Sequence, residues 1–143
     1  MGKKRIIKKI GHDLAGSGKK TTKKAARRKL EIGVLYVRAT YNNTIVMLTD
    51  PEGKAISQAS SGGIGFKGSK KGTPFAASKV GELMANQGLE MGLKEAAVII
   101  RGVGPGRESA VRAFASNGIA ISSIQDQTPI PFNGPKAKKP RRN

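Results

Sequence analysis

A glycine- and lysine-rich segment offers the clearest chemistry in this chain of 143 residues. The twelve residues from Ser61 to Gly72 hold five glycines and three lysines. Glycine lets a backbone approach a phosphate closely and turn its N–H groups outward, and lysine adds positive charge. The segment ends at Thr73-Pro74, residue types that begin a helix, and a helix N-terminus carries partial positive charge. This combination predicts contact with phosphate; a solvated loop without a ligand is the alternative.

A second glycine motif, Gly102-x-Gly104-x-Gly106-Arg107, leads from a strand-like run into a helix-like run. It resembles the dinucleotide-binding fingerprint only superficially, because the G-x-G-x-x-G spacing fails and no earlier βαβ unit supplies an acidic ribose ligand. A nucleotide cofactor is therefore disfavoured, whereas an RNA or DNA phosphate suits the same anion-binding geometry. Arg112 lies five residues after Arg107 on a neighbouring helix face, so we expect each arginine to contact a different nucleic-acid strand.

No set of residues in the sequence predicts catalysis. Cysteine is absent, which excludes disulfides, cysteine-ligated zinc and thiol catalysis. The lone histidine, His12, followed by Asp13, is too little for a metal site or a catalytic dyad. Gly18-Lys19-Lys20-Thr21 mimics the end of a Walker A motif, but the required earlier glycine position is Asp13. The carboxylates show no paired spacing, so we predict a protein that is not an enzyme and binds no metal or cofactor.

The charge is concentrated at the two ends of the chain. Residues 1–29 carry twelve Lys and Arg against one acid, residues 126–143 carry five against one, and residues 30–125 carry ten against seven. This distribution predicts a basic N-terminal arm at 1–29, one globular domain at 30–125 and a Pro-rich basic tail at 126–143. Such arms need a polyanion, and nucleic acid is the commonest one in a cell. The start of the chain lacks the apolar core of a secretory signal and favours Lys over Arg, unlike a transit peptide, so we expect a cytoplasmic protein.

The patterned middle of the chain predicts a mixed α/β fold that positions these motifs. Strands are predicted at 33–39, 44–49, 54–60, 96–100 and 119–124, and helices at 74–91 and 106–116. Asp50-Pro51-Glu52-Gly53 has the chemistry of a type I turn, and Asn42 and Asn43 tolerate the positive φ of a tight hairpin turn. Two short turns joining three strands imply an antiparallel meander. The apolar run 96–100 predicts a strand buried on both faces.

Four motifs in order resemble a known family. Residues 39–46 (ATYNNTIV), 65–77 (GFKGSKKGTPFAA), 104–109 (GPGRES) and 128–134 (TPIPFNG) resemble the hallmark segments of small-subunit ribosomal protein eleven, in its bacterial form. The resemblance runs from about residue 30 to the end. It implies a ribonuclease-H-like layer fold without nuclease activity. It also implies a structural role on the platform of the small ribosomal subunit, bridging ribosomal RNA helices near the messenger exit and the Shine-Dalgarno cleft.

The resemblance and the charge pattern together predict binding partners and the residues that contact RNA. The family implies ribosomal proteins seven and eighteen as neighbours, an association with initiation factor three, and messenger RNA nearby. The residues expected to contact RNA are Asn42, Asn43, Thr44, Lys67, Gly68, Ser69, Lys70, Lys71, Thr73, Gly104, Gly106, Arg107, Arg112, Asn133, Lys136, Lys138, Lys139, Arg141 and Arg142. Asn133-Gly134 also favours succinimide formation, because glycine does not shield the asparagine carbonyl, and we hypothesise isoaspartate at 133.

Two other functions remain open from the residues alone. A free-standing architectural DNA-binding protein would have the same basic arms. A nucleotide-dependent α/β enzyme is disfavoured by the failed fingerprints and the missing acid pairs.

Overall fold

The computed structural model describes residues 29–140; residues 1–28 of the predicted N-terminal arm, and Arg141 and Arg142, lie outside the described residues. The elements are β1 (Ile32–Ala39), β2 (Thr44–Thr49), β3 (Ala55–Ser60), a 3-10 helix (Gly68–Gly72), α1 (Pro74–Met91), β4 (Glu95–Arg101), α2 (Gly106–Ser116) and β5 (Ala120–Asp126). The predicted order β-β-β-α-β-α-β and the mixed α/β class are confirmed.

The five strands form one mixed sheet in the order β3-β2-β1-β4-β5. β1 pairs antiparallel with β2, and β2 with β3, which confirms the predicted meander. β4 lies parallel to both β1 and β5. Because β1 and β4 are parallel, their C-terminal ends lie at the same edge of the sheet, and the loops that leave them meet there.

Both predicted turns form, but the backbone conformation expected at the hairpin turn does not occur. The turn after β2 is confirmed, because the Gly53 amide donates to the Asp50 carbonyl at 3.0 Å. The positive φ expected of Asn42 or Asn43 is wrong: within residues 29–140, Asn133 is the one non-glycine residue with positive φ. The Thr40 amide closes the hairpin by donating to the Asn43 carbonyl at 2.9 Å, and the closure is reinforced by the Thr40 hydroxyl. This hydroxyl donates to the Asn43 carbonyl at 3.0 Å and accepts from the Asn43 amide at 3.1 Å.

Both helices cover the same face of the sheet. Leu35, Val46 and Val98 point to this side and are fully buried in one apolar cluster with Met84 of α1 and Phe114 of α2. The prediction that β4 is buried on both faces is wrong. Its burial alternates residue by residue, and the side chains on the far face are half-buried. No helix among the described residues covers that far face. None of the helices in this part of the chain is long and apolar enough to span a membrane.

Helix α1 begins and ends where its sequence signals predict. The Thr73 hydroxyl accepts from the Ala76 amide at 3.3 Å, and Gly92 follows the last turn with φ 89°. Gly81 and Gly88, which weaken a helix by about 1 kcal/mol each relative to Ala, are both buried. A Cβ at Gly81 would lie 2.4 Å from the Ala110 carbonyl oxygen of α2, so close helix packing requires glycine there.

The last strand is longer than predicted. β5 starts one residue later than expected and continues past residue 124 to Asp126, paired with β4 except at a register shift that leaves Ser122 without a partner. Its residues are mostly exposed, because it is an edge strand whose outer side has no neighbour among the described residues. Gln125 and Asp126 give no apolar signal, and an exposed edge strand needs none.

Candidate nucleic-acid interface

Four segments meet at the C-terminal edge of β1 and β4, and we call their joint surface the rim. They are the hairpin tip (40–43), the lysine loop (61–72), the glycine turn (102–106) and the tail root (126–129). Each segment contains part of one sequence motif that predicted nucleic-acid contact. The fold therefore brings these motifs together at one edge.

The lysine loop is held against the hairpin tip by one buried hydroxyl. Ser61 is fully buried, and its Oγ lies 2.5 Å from Oδ1 of Asn43 and 2.7 Å from the carbonyl oxygen of Lys71. The same Oγ accepts from the Thr44 amide at 3.2 Å. Ser61 thus joins both ends of the loop to the hairpin. Asn43, predicted to contact RNA, uses its side-chain amide oxygen, Oδ1, for this internal bond.

The end of the lysine loop lies against the hairpin backbone. A Cβ at Gly72 would lie 2.1 Å from the Tyr41 carbonyl oxygen, so only glycine allows this approach. The hydroxyl of Thr73, another predicted contact, caps α1 and lies 2.7 Å from the Lys70 carbonyl, so it is engaged within the protein. The loop that looked flexible in sequence is fixed at both ends.

The lysine side chains of this loop supply uncompensated charge. Lys67 and Lys70 are exposed and Lys71 is half-buried. Within the described part of the chain, none of the three forms an ion pair. Asn42, Gly68 and Ser69 are exposed beside them, whereas Thr44 is fully buried. Three positive charges on a fixed loop, next to a helix N-terminus, form a surface that attracts an anionic backbone.

The glycine turn packs against the hairpin instead of opening to solvent. Cβ atoms at Gly102, Gly104 and Gly106 would lie 2.0 Å from the Ala39 carbonyl oxygen, 2.2 Å from that of Thr40 and 2.3 Å from the Thr44 hydroxyl. These glycines are two residues apart in sequence because alternate residues of the turn face the hairpin. Gly104 and Gly106 are buried, and the Gly104 amide donates to Ala39. RNA contact by these two glycines stays a prediction that their burial disfavours.

Arg107 lies in an internal network that anchors the tail root. Its guanidinium donates to the Gly102 carbonyl, to the Asp126 carboxylate and, at 3.3 Å, to the Thr128 hydroxyl. Only 28% of its side chain is exposed. Hydrogen bonds from the Thr128 hydroxyl, from Arg107 and from the Thr128 amide lower the pKa of Asp126 from 3.8 to about 2. RNA contact by Arg107 stays a prediction, but its charge is already matched by Asp126.

The remaining predicted residues are spread outside the rim. Arg112 is exposed on α2 and pairs with Glu108 at 3.2 Å. Lys136, Lys138 and Lys139 are exposed along the tail, and no ion pair joins them to another described residue. Asn133 is exposed with φ 56°, a left-handed conformation.

Two exposed arginines at the rim were not predicted. Arg38 is the last residue of β1 on the face of the sheet that the helices leave uncovered. Arg101 is the last residue of β4 on the same face, and the two are register partners. Neither belongs to a recognisable motif. The available signal was their position: each precedes a turn at the C-terminal end of a predicted strand. Ser61 was also missed, because a buried serine that joins two loops has no sequence signature.

Within residues 29–140, no group of three acidic, histidine or cysteine side chains could hold a metal ion.

A family model described as ribosomal protein S11 matches residues 33–142 of the chain, most of its length. The match includes all four segments of the rim.

Proposed function

The chain belongs to the ribosomal protein S11 family, and from that premise we propose that its rim binds the sugar-phosphate backbone of small-subunit ribosomal RNA. The family makes it a structural protein of the small ribosomal subunit and not an enzyme. The observation that supports the rim as the contact surface is the fixed lysine loop, whose three lysines lack partners among the described residues. In this proposal the protein neutralises charge and sets the distance between RNA helices.

The hairpin tip and the lysine loop act as one body in this proposal. Asn42 presents an amide side chain at the exposed tip, and Lys67 and Lys70 lie on the adjoining loop. The Ser61 bonds hold the two together, so an RNA backbone that meets one also meets the other. A binding surface that is already formed loses less conformational entropy on association than a flexible one. The tail lysines, residues 1–29 and Arg112 extend the contact by charge.

The finer location follows the family and is part of the proposal. We place the protein on the platform, where it bridges ribosomal RNA helices near the messenger exit and the Shine-Dalgarno cleft. Ribosomal proteins seven and eighteen would be its neighbours, with initiation factor three and messenger RNA nearby. Chemical crosslinking of intact small subunits followed by mass spectrometry tests this location. Crosslinks to none of these proteins would contradict it.

A charge-matched pair of variants tests the rim. K67Q/K70Q removes two unpaired charges from the lysine loop. K54Q/K94Q removes two charges that pair with Glu52 and Glu31 away from the rim. The binding constant of the full chain for a small-subunit ribosomal RNA transcript is measured at several salt concentrations. Each lost phosphate contact reduces the slope of log K against log salt by roughly 0.7–0.9. We expect the loop variant to lose about two such increments and the control to lose none.

Two outcomes would contradict the proposal. Equal slopes for K67Q/K70Q and the unmodified chain would remove the lysine loop from the interface. Removal of residues 1–29 tests the arm in the same assay, and an unchanged slope would count against arm binding. Sedimentation of cell extract in a sucrose gradient separates the alternatives: co-migration with small subunits in moderate salt supports a ribosomal role. A soluble or nucleoid-bound pool would count against that role.

A further inference from the structure

Arg38 and Arg101 form a pair of like charges on the uncovered face of the sheet. They are register partners at the C-terminal ends of the parallel strands β1 and β4. Neighbouring strands lie about 4.8 Å apart, so the two side chains leave the sheet side by side. Both are exposed. This places two guanidinium groups within reach of a single small anion.

Nothing acidic among the described residues compensates this pair. Arg101 donates from Nη2 to the neutral side-chain oxygen of Gln127 at 2.9 Å, and Arg38 forms no ion pair within residues 29–140. The cross-strand neighbour of Arg38 on β2 is Ile45. Asp126, at the end of the neighbouring strand β5, bonds instead to Arg107 and Thr128. Like charges directly opposite each other destabilise a sheet, so the fold alone gives no reason to keep them there.

The pair lines a cleft that is large enough to admit a phosphodiester group. The cleft has a volume of about 520 Å³, and its other lining residues are Thr40, Gly102, Val103, Thr128 and Pro129. It lies between the root of the hairpin and the tail root, and no residue of the lysine loop lines it. Its tail-root side is fixed, because the Gly102 amide donates to the Thr128 hydroxyl at 3.1 Å and the Gln127 amide to the Ile100 carbonyl at 2.9 Å. Its hairpin side is fixed by the Gly104 amide, which donates to the Ala39 carbonyl at 3.1 Å. The cleft is therefore a separate, preformed part of the rim.

We propose that Arg38 and Arg101 bind a phosphodiester group of RNA in this cleft, as a second phosphate subsite. The planar guanidinium fork donates two parallel hydrogen bonds to phosphate, which gives arginine both strength and orientation in such a site. The subsite rests on the proposed RNA-binding function and extends it to the uncovered sheet face. An RNA backbone that contacts both the lysine loop and this cleft is held on two sides of the hairpin tip.

The test removes the same number of charges from three places. R38Q/R101Q is compared with K67Q/K70Q in the lysine loop and with K54Q/K94Q away from the rim. All three are full-length chains, and the probe is a transcript of small-subunit ribosomal RNA. We expect R38Q/R101Q to lower the salt slope by at least roughly 0.7, the increment for one phosphate on a single strand. Its melting temperature without RNA is expected to equal or exceed that of the unmodified chain, because the like-charge repulsion is removed.

The outcomes separate this subsite from the function on which it rests. An unchanged slope for R38Q/R101Q with a reduced slope for K67Q/K70Q overturns the subsite alone. Unchanged slopes for both overturn both proposals. If R38Q/R101Q binds RNA with an unchanged slope but is not incorporated into small subunits, the arginines bind a protein neighbour, and the phosphate subsite is refuted. A lower melting temperature together with an unchanged slope assigns the pair a structural role and also refutes it. R38K/R101K should restore the slope but not the full affinity, since lysine lacks the bidentate fork.

Discussion

Replacing Gly72 by alanine should separate the lysine loop from the hairpin tip. The added methyl would lie 2.1 Å from the Tyr41 carbonyl oxygen and 3.0 Å from its carbon, and real Cβ contacts essentially never fall below 3.0 Å. The obstacle is backbone, so no side-chain rotation relieves it. Gly72 has no positive φ, and the whole effect is therefore steric. Overpacking of this kind costs about 1–3 kcal/mol.

Gly62 supplies a control in the same loop. A Cβ there would lie 3.4 Å from Cδ of the flexible Lys71 side chain and 4.0 Å from Oδ1 of Asn43, both ordinary contacts, and the residue also lacks a positive φ. Alanine at a compatible glycine position stabilises a protein by about 0.4–1 kcal/mol, because it restricts the unfolded chain. The two substitutions are chemically identical and ten positions apart, yet the structure predicts opposite signs for their effects.

Urea unfolding followed by far-ultraviolet circular dichroism measures both variants at one salt concentration. We expect G72A to unfold with about 1–3 kcal/mol less stability than the unmodified chain, and G62A to be equal to it or up to about 1 kcal/mol more stable. Salt-dependent binding to the ribosomal RNA transcript follows on the same samples. G72A should bind more weakly at every salt concentration, because the lysines no longer lie against the hairpin. If G72A were as stable as G62A, the close contact between loop and hairpin would be refuted.

Three further predictions concern the supports of the rim. D126N should be less stable than the unmodified chain near neutral pH. Because the pKa of Asp126 in the folded protein is lowered to about 2, this difference in stability should shrink as the pH falls from about 3.8 towards 2. Thermal unfolding of both proteins against pH measures the difference, and a constant difference would contradict the prediction. T73A should lose about 1 kcal/mol through the missing helix cap while T73S keeps most of it, measured by denaturant unfolding. G81A should lose about 1–3 kcal/mol although alanine favours helix, because its Cβ would meet the Ala110 carbonyl; a gain in stability would refute the close packing of the two helices.

Local signals predicted the elements well, because their physical causes are local. Thr73-Pro74 and Gly92 define α1 through capping and backbone conformation, which depend on neighbouring residues alone. The turn at Asp50 follows for the same reason. The burial of β4 was not predictable in this way. An apolar run does not reveal that both helices lie on one face of the sheet.

The rim was predicted by its motifs, but the roles within it depend on distant partners. Arg107 looks like a free cation in sequence, and only the fold shows that Asp126 and Thr128 lie beside it. The spacing of Gly104 and Gly106 is that of an anion-binding turn and also that of a turn packed closely against the hairpin. Sequence spacing alone does not separate these two uses. RNA contact at the predicted residues therefore stays a prediction, ranked by which side chains the fold leaves exposed.

The pairing of β1 with both β2 and β4 has a consequence for the order in which the protein forms. The β1–β2 hairpin is local in the chain, whereas the β1–β4 pairing and the approach of Gly104 to Thr40 join residues far apart in sequence. Long-range contacts require the closure of large loops and form slowly. A nascent chain can therefore fold its hairpin early, but the rim is complete only after the tail root has left the exit tunnel. The proposed RNA-binding surface is then a late product of folding, so a truncated or half-folded chain would present its lysines without the geometry that orients them.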